Sequence, residues 1–297
     1  MNNNLSKIIS TLKSKFYFNY NIGRLTWFRT GGNAKIFILV ENSEELEIIL
    51  NEIKDENYYV LGSGSNLLIR DKGFNGIVLK LGKGFNIFNI IENKLEVGAS
   101  ILDINLSNFA LKNNLEGFEF FSGIPGSIGG AVKMNAGCFG SETKDKLDSI
   151  EIYNSNFEKE IIRRKDINLE YRSSSIKNNQ IITKVKFNIN FGKSKDIKEK
   201  MEIIKEKRLS SQPIKYKTSG STFKNPPNLF AAKLIEETGC KGLMYGDAIV
   251  SHKHANFLIN KGNATASDLE NLGKIIIEKV YKKFSVKLNW EVKIIGE

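Results

Sequence analysis

The sequence predicts an α+β fold, because segments with the pattern of strands and segments with the pattern of helices are intermixed along all 297 residues. Residues 36–40 form an apolar run typical of a buried strand, and residues 180–191 alternate apolar with mostly polar side chains, as a half-buried strand does. Residues 267–280 instead carry apolar side chains at helical spacing.

The start of the chain predicts two helices and two strands. The first helix carries apolar side chains at helical spacing, namely Leu5, Ile8, Ile9, Leu12 and Phe16. The strand at 36–40 leads into a second helix, for which Asn42 and Glu45 form a capping pair. Residues 58–61 are a second strand.

A loop of small residues, GSGSN at 62–66, follows the second strand. It is close to the dinucleotide fingerprint G-x-G-x-x-G, but Leu67 stands where the third glycine would be, and the Gly-Lys-Ser/Thr of a P-loop is missing. The loop's N–H groups and hydroxyls suit an anion nest, and a plain turn explains them as well.

The densest glycine segment lies at residues 117–131, GFEFFSGIPGSIGGA, after strands predicted at 77–81 and 95–98 and a helix capped by Ser100 and Asp103. Glycine is costly inside helices and strands, so these residues are expected where the backbone approaches another group closely. A backbone-lined wall for a flat, polar cofactor and a tight structural loop explain the stretch equally well.

The remaining elements follow the same kinds of pattern. Strands or strand-like alternation are expected at 149–153, 180–191, 256–260 and 286–294, and helices at 197–209, at 230–238, and from a capping pair of Ser267 and Glu270. Gly239 ends the helix at 230–238. A domain boundary is expected near Gly192.

The net charge of +11 raises the question of nucleic-acid binding. The lysines are scattered, however, and the chain is rich in Asn, Ile and Lys together, which indicates compositional bias rather than a binding stripe. A positive field also favours a small anionic substrate. Nucleic acid is therefore not an expected partner.

Several other classes of function are disfavoured. No run of about 18 apolar residues predicts a membrane-spanning helix, and the first residues lack the features of an export signal. Cys138 and Cys240 form neither a metal-ligand spacing nor a disulfide framework. His252 and His254 have no carboxylate cluster beside them. We expect a cytoplasmic protein with neither a metal site nor a membrane partner.

Six segments spread along nearly the whole chain match one known family. They are TWFRTGGNA at 26–34, LGSGSNLL at 61–68, GIPGSIGGA at 123–131, EYR at 170–172, GSTFKNP at 220–226 and WEV at 290–292. In this order and spacing they resemble the UDP-N-acetylenolpyruvoylglucosamine reductase family. The segments after Asn190 and after Pro227 are too short for the longer insertion of some members, so the resemblance is to the compact form.

The resemblance implies a flavoenzyme of bacterial cell-wall synthesis. It uses NADPH and non-covalent FAD to reduce the enolpyruvyl group of the UDP-sugar substrate to UDP-N-acetylmuramate. The implied fold is a two-lobed FAD-binding domain of the vanillyl-alcohol-oxidase/PCMH type, at 1–61 and 62–192. A C-terminal α+β substrate-binding domain follows at 193–291, with 292–297 as a candidate to return to the first lobe. A monomer is expected.

The resemblance also assigns catalytic residues. Hydride addition to the enolpyruvyl group builds negative charge on the substrate carboxylate, which a fixed Arg172 guanidinium would pair with and stabilise. Glu291 would share in holding the enol, and Ser221 would give the proton to the α-carbon. A serine hydroxyl is a poor acid, so Ser221 would need help from its neighbours.

Binding residues are carried over in the same way. Arg29 and residues 62–66 would meet the FAD pyrophosphate, and residues 123–131 would lie along the ribityl chain and the isoalloxazine ring. The cofactor residues are thus Arg29, Gly62, Ser63, Gly64, Ser65, Asn66, Gly123, Pro125, Gly126, Ser127, Gly129, Gly130 and Ala131. Lys224 and Asn225, with Lys215 or Lys217, would hold the UDP diphosphate, and His254 would line the substrate pocket or serve as a structural histidine.

Two other functions stay open from the residues alone. An alcohol or aldehyde oxidase of the same flavin-binding superfamily would share residues 26–130 but would not need Arg172, Ser221 and Glu291 together. A basic, nucleic-acid-associated protein would bind no chromophore and would show a steep salt dependence of binding.

Overall fold

The computed structural model describes Leu5 and residues 8–297, and the chain divides into two compact units. Unit 1 comprises Met1–Phe18, Ile36–Ser63 and Gly76–Glu206, and unit 2 comprises Asn19–Lys35, Gly64–Asn75 and Lys207–Glu297. The predicted functional division at residues 61, 192 and 291 stays a prediction.

Helices and strands are mixed along the described chain, as the α+β prediction requires. The helices are α1 Ser43–Glu52, α2 Asp103–Lys112, α3 Ile128–Met134, α4 Ser194–Ser211, α5 Ala231–Glu237 and α6 Ala266–Phe284. The strands are β1 Lys15–Asn21, β2 Asn33–Val40, β3 Tyr58–Val60, β4 Leu67–Ile69, β5 Phe74–Leu81, β6 Phe88–Ile91, β7 Lys94–Gly98, β8 Gly137–Cys138, β9 Ser141–Glu142, β10 Leu147–Tyr153, β11 Lys159–Arg163, β12 Leu169–Glu170, β13 Ser173–Ser174, β14 Ile181–Asn188, β15 Met244–Tyr245, β16 Ala248–Val250, β17 Leu258–Asn260 and β18 Lys293–Ile295.

Unit 1 is built on two sheets with separate apolar cores. The five-stranded sheet has the order β11-β10-β14-β7-β6, and each neighbouring pair of its strands is antiparallel. Its central strand β14 alternates inward apolar residues, so Val185 and Phe187 are buried in the core that α2 and α3 cover. Most of a four-stranded sheet, β1-β2-β5-β3, also lies in unit 1, and α1 packs its apolar face on the second core.

Unit 2 has one core, formed mainly by α6 and a small antiparallel sheet. The sheet has the order β15-β16-β17. Leu269, Leu272 and Ile276 of α6 are fully buried beside Val250 and Leu258 of the sheet. The C-terminal strand β18 pairs in parallel with β4, with Lys293 opposite Leu67. The end of the chain is thus fixed directly beside the segment that follows the loop at 62–66.

Most of the predicted elements are confirmed. Of the predicted capping pair, Asn42 is confirmed by the 2.9 Å bond from the Glu45 N–H to its side chain, whereas the Glu45 carboxylate accepts from Ser14 instead. Part of the opening helix falls on residues 6 and 7, outside the described residues. Phe16 was wrongly assigned to that helix and lies on β1. Phe16 adopts the strand conformation because β1 pairs with β2 in the four-stranded sheet. Every second residue of a strand faces the same side, so apolar residues at 16, 18 and 20 fit a strand.

Two predicted caps are wrong. Helix α2 begins at Asp103 without a side-chain cap, and the Ser100 hydroxyl bonds the Asn86 side chain at 2.6 Å instead. Helix α6 is capped by a capping box of Thr265 and Asp268, which leaves Glu270 free for an ion pair with Arg70 at 2.9 Å. In α6 the Thr265 side chain meets the first turn in place of Ser267, whereas in α2 the residue before the helix is Leu102, which makes no side-chain cap.

Among Leu5 and residues 8–297, no helix has both the length and the apolar content that crossing a bilayer requires.

Candidate functional site

The glycine-rich stretch lies in unit 1 as a short 3-10 turn, a loop and helix α3. Gly123 ends the turn, and Gly129 and Gly130 lie inside the seven-residue helix. The expectation that these glycines avoid helices was therefore wrong for two of them. The expected close approach is present, because a methyl group on Gly129 would lie 3.1 Å from the Ala99 side chain.

One edge of this loop is bonded to the segment that leads into α2. Asp103 donates its N–H to the Gly126 carbonyl at 3.1 Å, and Ile128 donates to the Ile101 carbonyl at 2.9 Å. Ser127 is buried, whereas Pro125 and Gly126 are half-buried. The loop is thus fixed along one side by backbone bonds, with small residues at its partly exposed positions.

Gly62 and the glycine-rich stretch are neighbours in unit 1. A methyl group on Gly62 would lie 2.7 Å from the Ser127 hydroxyl, so only glycine fits without a shift. Lys80 donates its ammonium to the Gly62 carbonyl at 2.7 Å, and burial lowers the pKa of Lys80. Sequence reasoning missed Lys80, although it is the only charged residue of strand β5.

In unit 2 the other half of the small-residue loop contacts the segment around Arg29. Trp27 donates its N–H to the Gly64 carbonyl at 3.0 Å, and Gly64 has the left-handed φ of 70°. Arg29 has a left-handed φ of 57° and donates from its guanidinium to the Arg24 carbonyl at 2.5 Å. The structure thus brings Gly64 together with the turn that carries the exposed Arg29.

The Ser221 and Glu291 segments lie side by side in unit 2, although 70 positions separate them in the sequence. Glu291 donates its N–H to the carbonyl of Thr222, next to Ser221, at 2.8 Å. The Glu291 carbonyl in turn accepts from the Asn66 side chain at 3.0 Å. Asn66 and Glu291 therefore share one hydrogen-bond network with Thr222, the residue next to Ser221.

Asn256 fixes the Ser221 segment from its other side. This buried residue accepts the Phe223 N–H on its side-chain oxygen at 2.9 Å and donates back to the Phe223 carbonyl at 2.8 Å. The Thr222 N–H reaches the Asn256 carbonyl at 2.8 Å. Sequence reasoning did not single out Asn256, because its partners lie 33 positions away.

The three predicted substrate-binding residues have different surroundings within unit 2. Lys224 is half-buried, and its N–H pairs with the Asn289 carbonyl at 2.9 Å. The Asn225 side chain accepts from the Ala231 N–H at 3.0 Å and so caps the start of α5. His254 is half-buried, its ring centroid is 4.6 Å from that of Phe257, and burial is the main reason that its pKa is lowered. The lowered pKa favours the neutral imidazole of His254.

Arg172 occupies the two-residue turn between β12 and β13 in unit 1. Its backbone has a left-handed φ of 53°, which is uncommon for residues other than glycine, asparagine and aspartate. The guanidinium donates to the Gly137 carbonyl at 2.6 Å and lies 5.0 Å from the Tyr171 ring centroid. A residue held in such a conformation at a turn is a candidate for a role in binding or catalysis.

A metal centre has no support in the part of the chain that the structure describes. No group of three or more His, Cys, Asp and Glu side chains there has the geometry to hold an ion. Cys240 is buried, and Cys138 bonds the Phe120 carbonyl at 3.1 Å.

Two family models match the chain. Residues 34–156 match the model described as FAD binding domain. Residues 212–295 match the model described as UDP-N-acetylenolpyruvoylglucosamine reductase, C-terminal domain. An FAD-binding domain followed by this C-terminal domain confirms the predicted α+β architecture.

Relatives with that reductase name match over nearly their whole length. The protein from Rickettsia rickettsii (strain Sheila Smith) is 44% identical over 290 residues, which cover 97% of this chain and 98% of the relative. The protein from Rickettsia typhi is 43% identical over 291 residues, which cover 98% of this chain and 99% of the relative. The crystal structure of UDP-N-acetylenolpyruvylglucosamine reductase (MurB) from Thermus caldophilus superposes with a TM-score of 0.83 at 32% identity, with 96% and 99% covered.

Proposed function

Because the chain belongs to the UDP-N-acetylenolpyruvoylglucosamine reductase family, we propose that it reduces the enolpyruvyl group of UDP-N-acetylenolpyruvoylglucosamine to UDP-N-acetylmuramate with NADPH. The observation that carries the proposal is the bond from the Glu291 N–H to the Thr222 carbonyl, at 2.8 Å. It joins two distant segments to which the resemblance assigns parts of one reaction.

The residues of the FAD-binding domain fit a flavin. Gly62 and Ser127 approach so closely that a methyl group on Gly62 would lie 2.7 Å from the Ser127 hydroxyl. At this point Gly62 therefore presents bare backbone and Ser127 a hydroxyl, groups that suit a flat cofactor with a pyrophosphate. The Lys80 ammonium, bonded to the Gly62 carbonyl at 2.7 Å, adds a positive charge beside this backbone. The chemistry that bound FAD would supply here is the transfer of a hydride from NADPH to the β-carbon of the enolpyruvyl group.

Arg172 is proposed to stabilise the charge that hydride addition creates. As the β-carbon gains a hydride, negative charge spreads onto the substrate carboxylate as an enolate. A guanidinium offers two parallel donors to a carboxylate and stays charged at all accessible pH values. The bond from Arg172 to the Gly137 carbonyl, at 2.6 Å, holds the guanidinium in place before the substrate arrives, which preserves the geometry during the reaction.

Ser221 is proposed to give the α-carbon its proton, and a protonated Glu291 to share in holding the enol through a hydrogen bond. Gly220 has a left-handed φ of 79°, so the backbone turns sharply just before Ser221. Asn256 and Glu291 bond Thr222 from two directions at 2.8 Å each. These bonds fix the backbone next to Ser221, and a proton donor needs such a fixed attachment.

For the UDP diphosphate we propose Lys224 and Asn225, with Lys215 or Lys217 as a further cation. The Asn225 amide nitrogen is available for this role because the cap of α5 uses its oxygen. A neutral His254 would accept or donate one hydrogen bond to the substrate without adding charge.

A visible spectrum of the purified protein tests the cofactor. The proposal expects a yellow protein that releases FAD on denaturation, since the binding is non-covalent. Beyond the one equivalent that reduces the flavin, NADPH should be consumed under anaerobic conditions only when the enolpyruvyl sugar nucleotide is present. A colourless protein that cannot take up added FAD would contradict the proposal, as would NADPH consumption that ignores the sugar nucleotide.

A further inference from the structure

Asn135 lies between the glycine-rich stretch and the Arg172 turn in unit 1. It directly follows helix α3, is fully buried, and has a left-handed φ of 41°. Asparagine commonly ends a helix in this conformation, so the backbone alone explains the choice of residue. The side chain has contacts that ending a helix does not require.

Three bonds satisfy the Asn135 amide. Its nitrogen donates to the Glu170 carbonyl at 3.0 Å and to the Glu142 carboxylate at 3.1 Å. Its oxygen accepts from the Lys144 N–H at 3.0 Å. Loss of the Asn135 side chain would remove this donor from the Glu170 carbonyl, whereas the Glu142 carboxylate would keep its ion pair with Lys144 at 2.6 Å.

The bond to the Glu170 carbonyl acts on the turn that carries Arg172. Glu170 pairs with Ser173 across the β12–β13 hairpin, and Tyr171 and Arg172 are the two residues between them. The guanidinium of Arg172 is bonded to Gly137, two residues beyond Asn135, at 2.6 Å. The segment after α3 therefore holds both the backbone of the turn and the side chain of Arg172.

A second bond joins the same helix to the same hairpin. The Ser174 hydroxyl donates to the Lys133 carbonyl in the last turn of α3 at 2.7 Å. The first turn of α3 belongs to the glycine-rich stretch and includes Gly129 and Gly130. One helix of seven residues, about 10 Å long, thus connects the proposed flavin-binding backbone to the Arg172 turn.

We propose that Asn135 is a positioning residue for Arg172: it fixes the distance between the flavin-binding backbone and the guanidinium that receives the substrate carboxylate. This inference rests on the proposed function. Misplacement of a catalytic group by about 1 Å costs on the order of 100-fold in rate, so the bond has a measurable consequence.

Asn135→Gly separates the two roles of the residue. Glycine adopts the left-handed conformation without strain, so the helix end is kept, while all three side-chain bonds are lost. The matched control is Asn114→Gly, at an exposed asparagine with a left-handed φ of 57° that follows helix α2. Both substitutions have the same effect on the backbone.

The test follows the two half-reactions of the holoenzyme by stopped-flow absorbance. For Asn135→Gly we expect FAD content and the rate of reduction by NADPH to stay within about twofold of wild type. Reduction of the sugar nucleotide should slow by roughly 10- to 100-fold. In an Arg172→Ala background, Asn135→Gly should slow that step no further, because it acts through Arg172. Asn114→Gly should change neither step.

Several results would overturn the inference. An unchanged second half-reaction in Asn135→Gly would reduce Asn135 to a helix cap, and equal losses in both half-reactions would indicate a general structural role. If Arg172→Ala itself leaves the second half-reaction intact, the proposed role of Arg172 fails first. If Asn135→Gly does not fold, Ser174→Ala removes the other bond to α3 and should slow the same step to a smaller degree. No slowing in that folded variant would overturn the inference.

Discussion

At the scale of single residues, Ser221 has the most demanding role for its chemistry. A serine hydroxyl gives up a proton reluctantly at neutral pH, so it depends on being held against the acceptor carbon. Its backbone neighbour Thr222 is bonded on both sides at 2.8 Å, by Asn256 and by Glu291. Such fixed placement is what proton transfer from a poor acid requires.

Ser221→Ala should separate the two half-reactions. We expect reduction by NADPH to proceed at the wild-type rate, while reduction of the sugar nucleotide slows by about 100- to 10,000-fold, the usual contribution of a general acid. Single-turnover absorbance measures each step. The matched control is Ser210→Ala, at an exposed serine on α4 whose hydroxyl bonds the Lys207 carbonyl. Equal slowing of both steps in Ser221→Ala would contradict the proton-donor role.

How far single residues could be predicted depends on where their partners lie in the sequence. Arg172, Ser221 and Glu291 could be chosen from local motifs. Asn135 could not, because its side-chain partners lie 7, 9 and 35 positions away. The left-handed backbone of Arg172 was equally invisible, since nothing in the residue type indicates it.

At the scale of elements, close packing accounts for a glycine inside helix α6, where helix propensity disfavours it. Gly273 is buried in the middle of α6, and a methyl group there would lie 2.1 Å from the Trp290 ring. That ring also packs on Phe223, with 5.0 Å between the centroids. The ring of Trp290, which directly precedes Glu291, thus lies between α6 and the segment that carries Ser221.

Gly273→Ala should therefore destabilise the protein, although inside a helix alanine is more favourable than glycine by about 1 kcal/mol. Overpacking costs roughly 1–3 kcal/mol, so we expect a net loss of about 1 kcal/mol in the free energy of unfolding. A shifted Trp290 should also slow reduction of the sugar nucleotide. Urea unfolding and stopped-flow absorbance measure the two effects. Gly262→Ala, where a methyl group meets nothing within 4 Å, is the control. A more stable Gly273→Ala variant with full activity would disprove this account.

The Arg70–Glu270 pair gives α6 a pH-dependent contribution to stability. The Arg70 guanidinium bonds both oxygens of Glu270, at 2.9 and 3.2 Å, and this holds the pKa of Glu270 below its ordinary value of 4.5. A lowered folded-state pKa means that the contribution is complete above pH 4.5 and is lost as the pH falls through the folded pKa.

Glu270→Gln should accordingly lower the free energy of unfolding by a constant amount near neutral pH, and the difference from wild type should shrink as the pH falls below 4.5 and through the lowered pKa of Glu270. Urea unfolding at a series of pH values measures it. Glu278→Gln, at an exposed position of the same helix, should show no such trend relative to wild type. A difference that stays constant down to low pH would exclude the ion pair as its cause.

Elements were easier to predict than their ends. Apolar patterns located α1, β2 and α6, because burial of a face determines a periodicity over many residues. A cap depends on only one or two hydrogen bonds, so sequence patterns locate it poorly. Thr265 and Asp268 cap α6, not the predicted Ser267 and Glu270. Phe16 joined a sheet because strand partners distant in sequence outweighed its local helical spacing.

At the scale of the whole molecule, family membership was predictable because six separate segments of the chain match the family's motifs in the family's order. The match to relatives over 97% of the chain agrees with that order. Neither the charge of +11 nor the composition carried comparable information, since scattered lysines fit several functions. The function therefore follows from the sites and their order rather than from bulk properties.

Anaerobic single turnover tests the central claim most directly. The holoenzyme is first bleached with one equivalent of NADPH in the absence of oxygen, and UDP-N-acetylenolpyruvoylglucosamine is then added. The proposed function predicts rapid return of the flavin absorbance with formation of one equivalent of UDP-N-acetylmuramate. Absorbance that returns only when oxygen is admitted, with the sugar nucleotide unchanged, would contradict the claim and indicate an oxidase of the same flavin-binding superfamily.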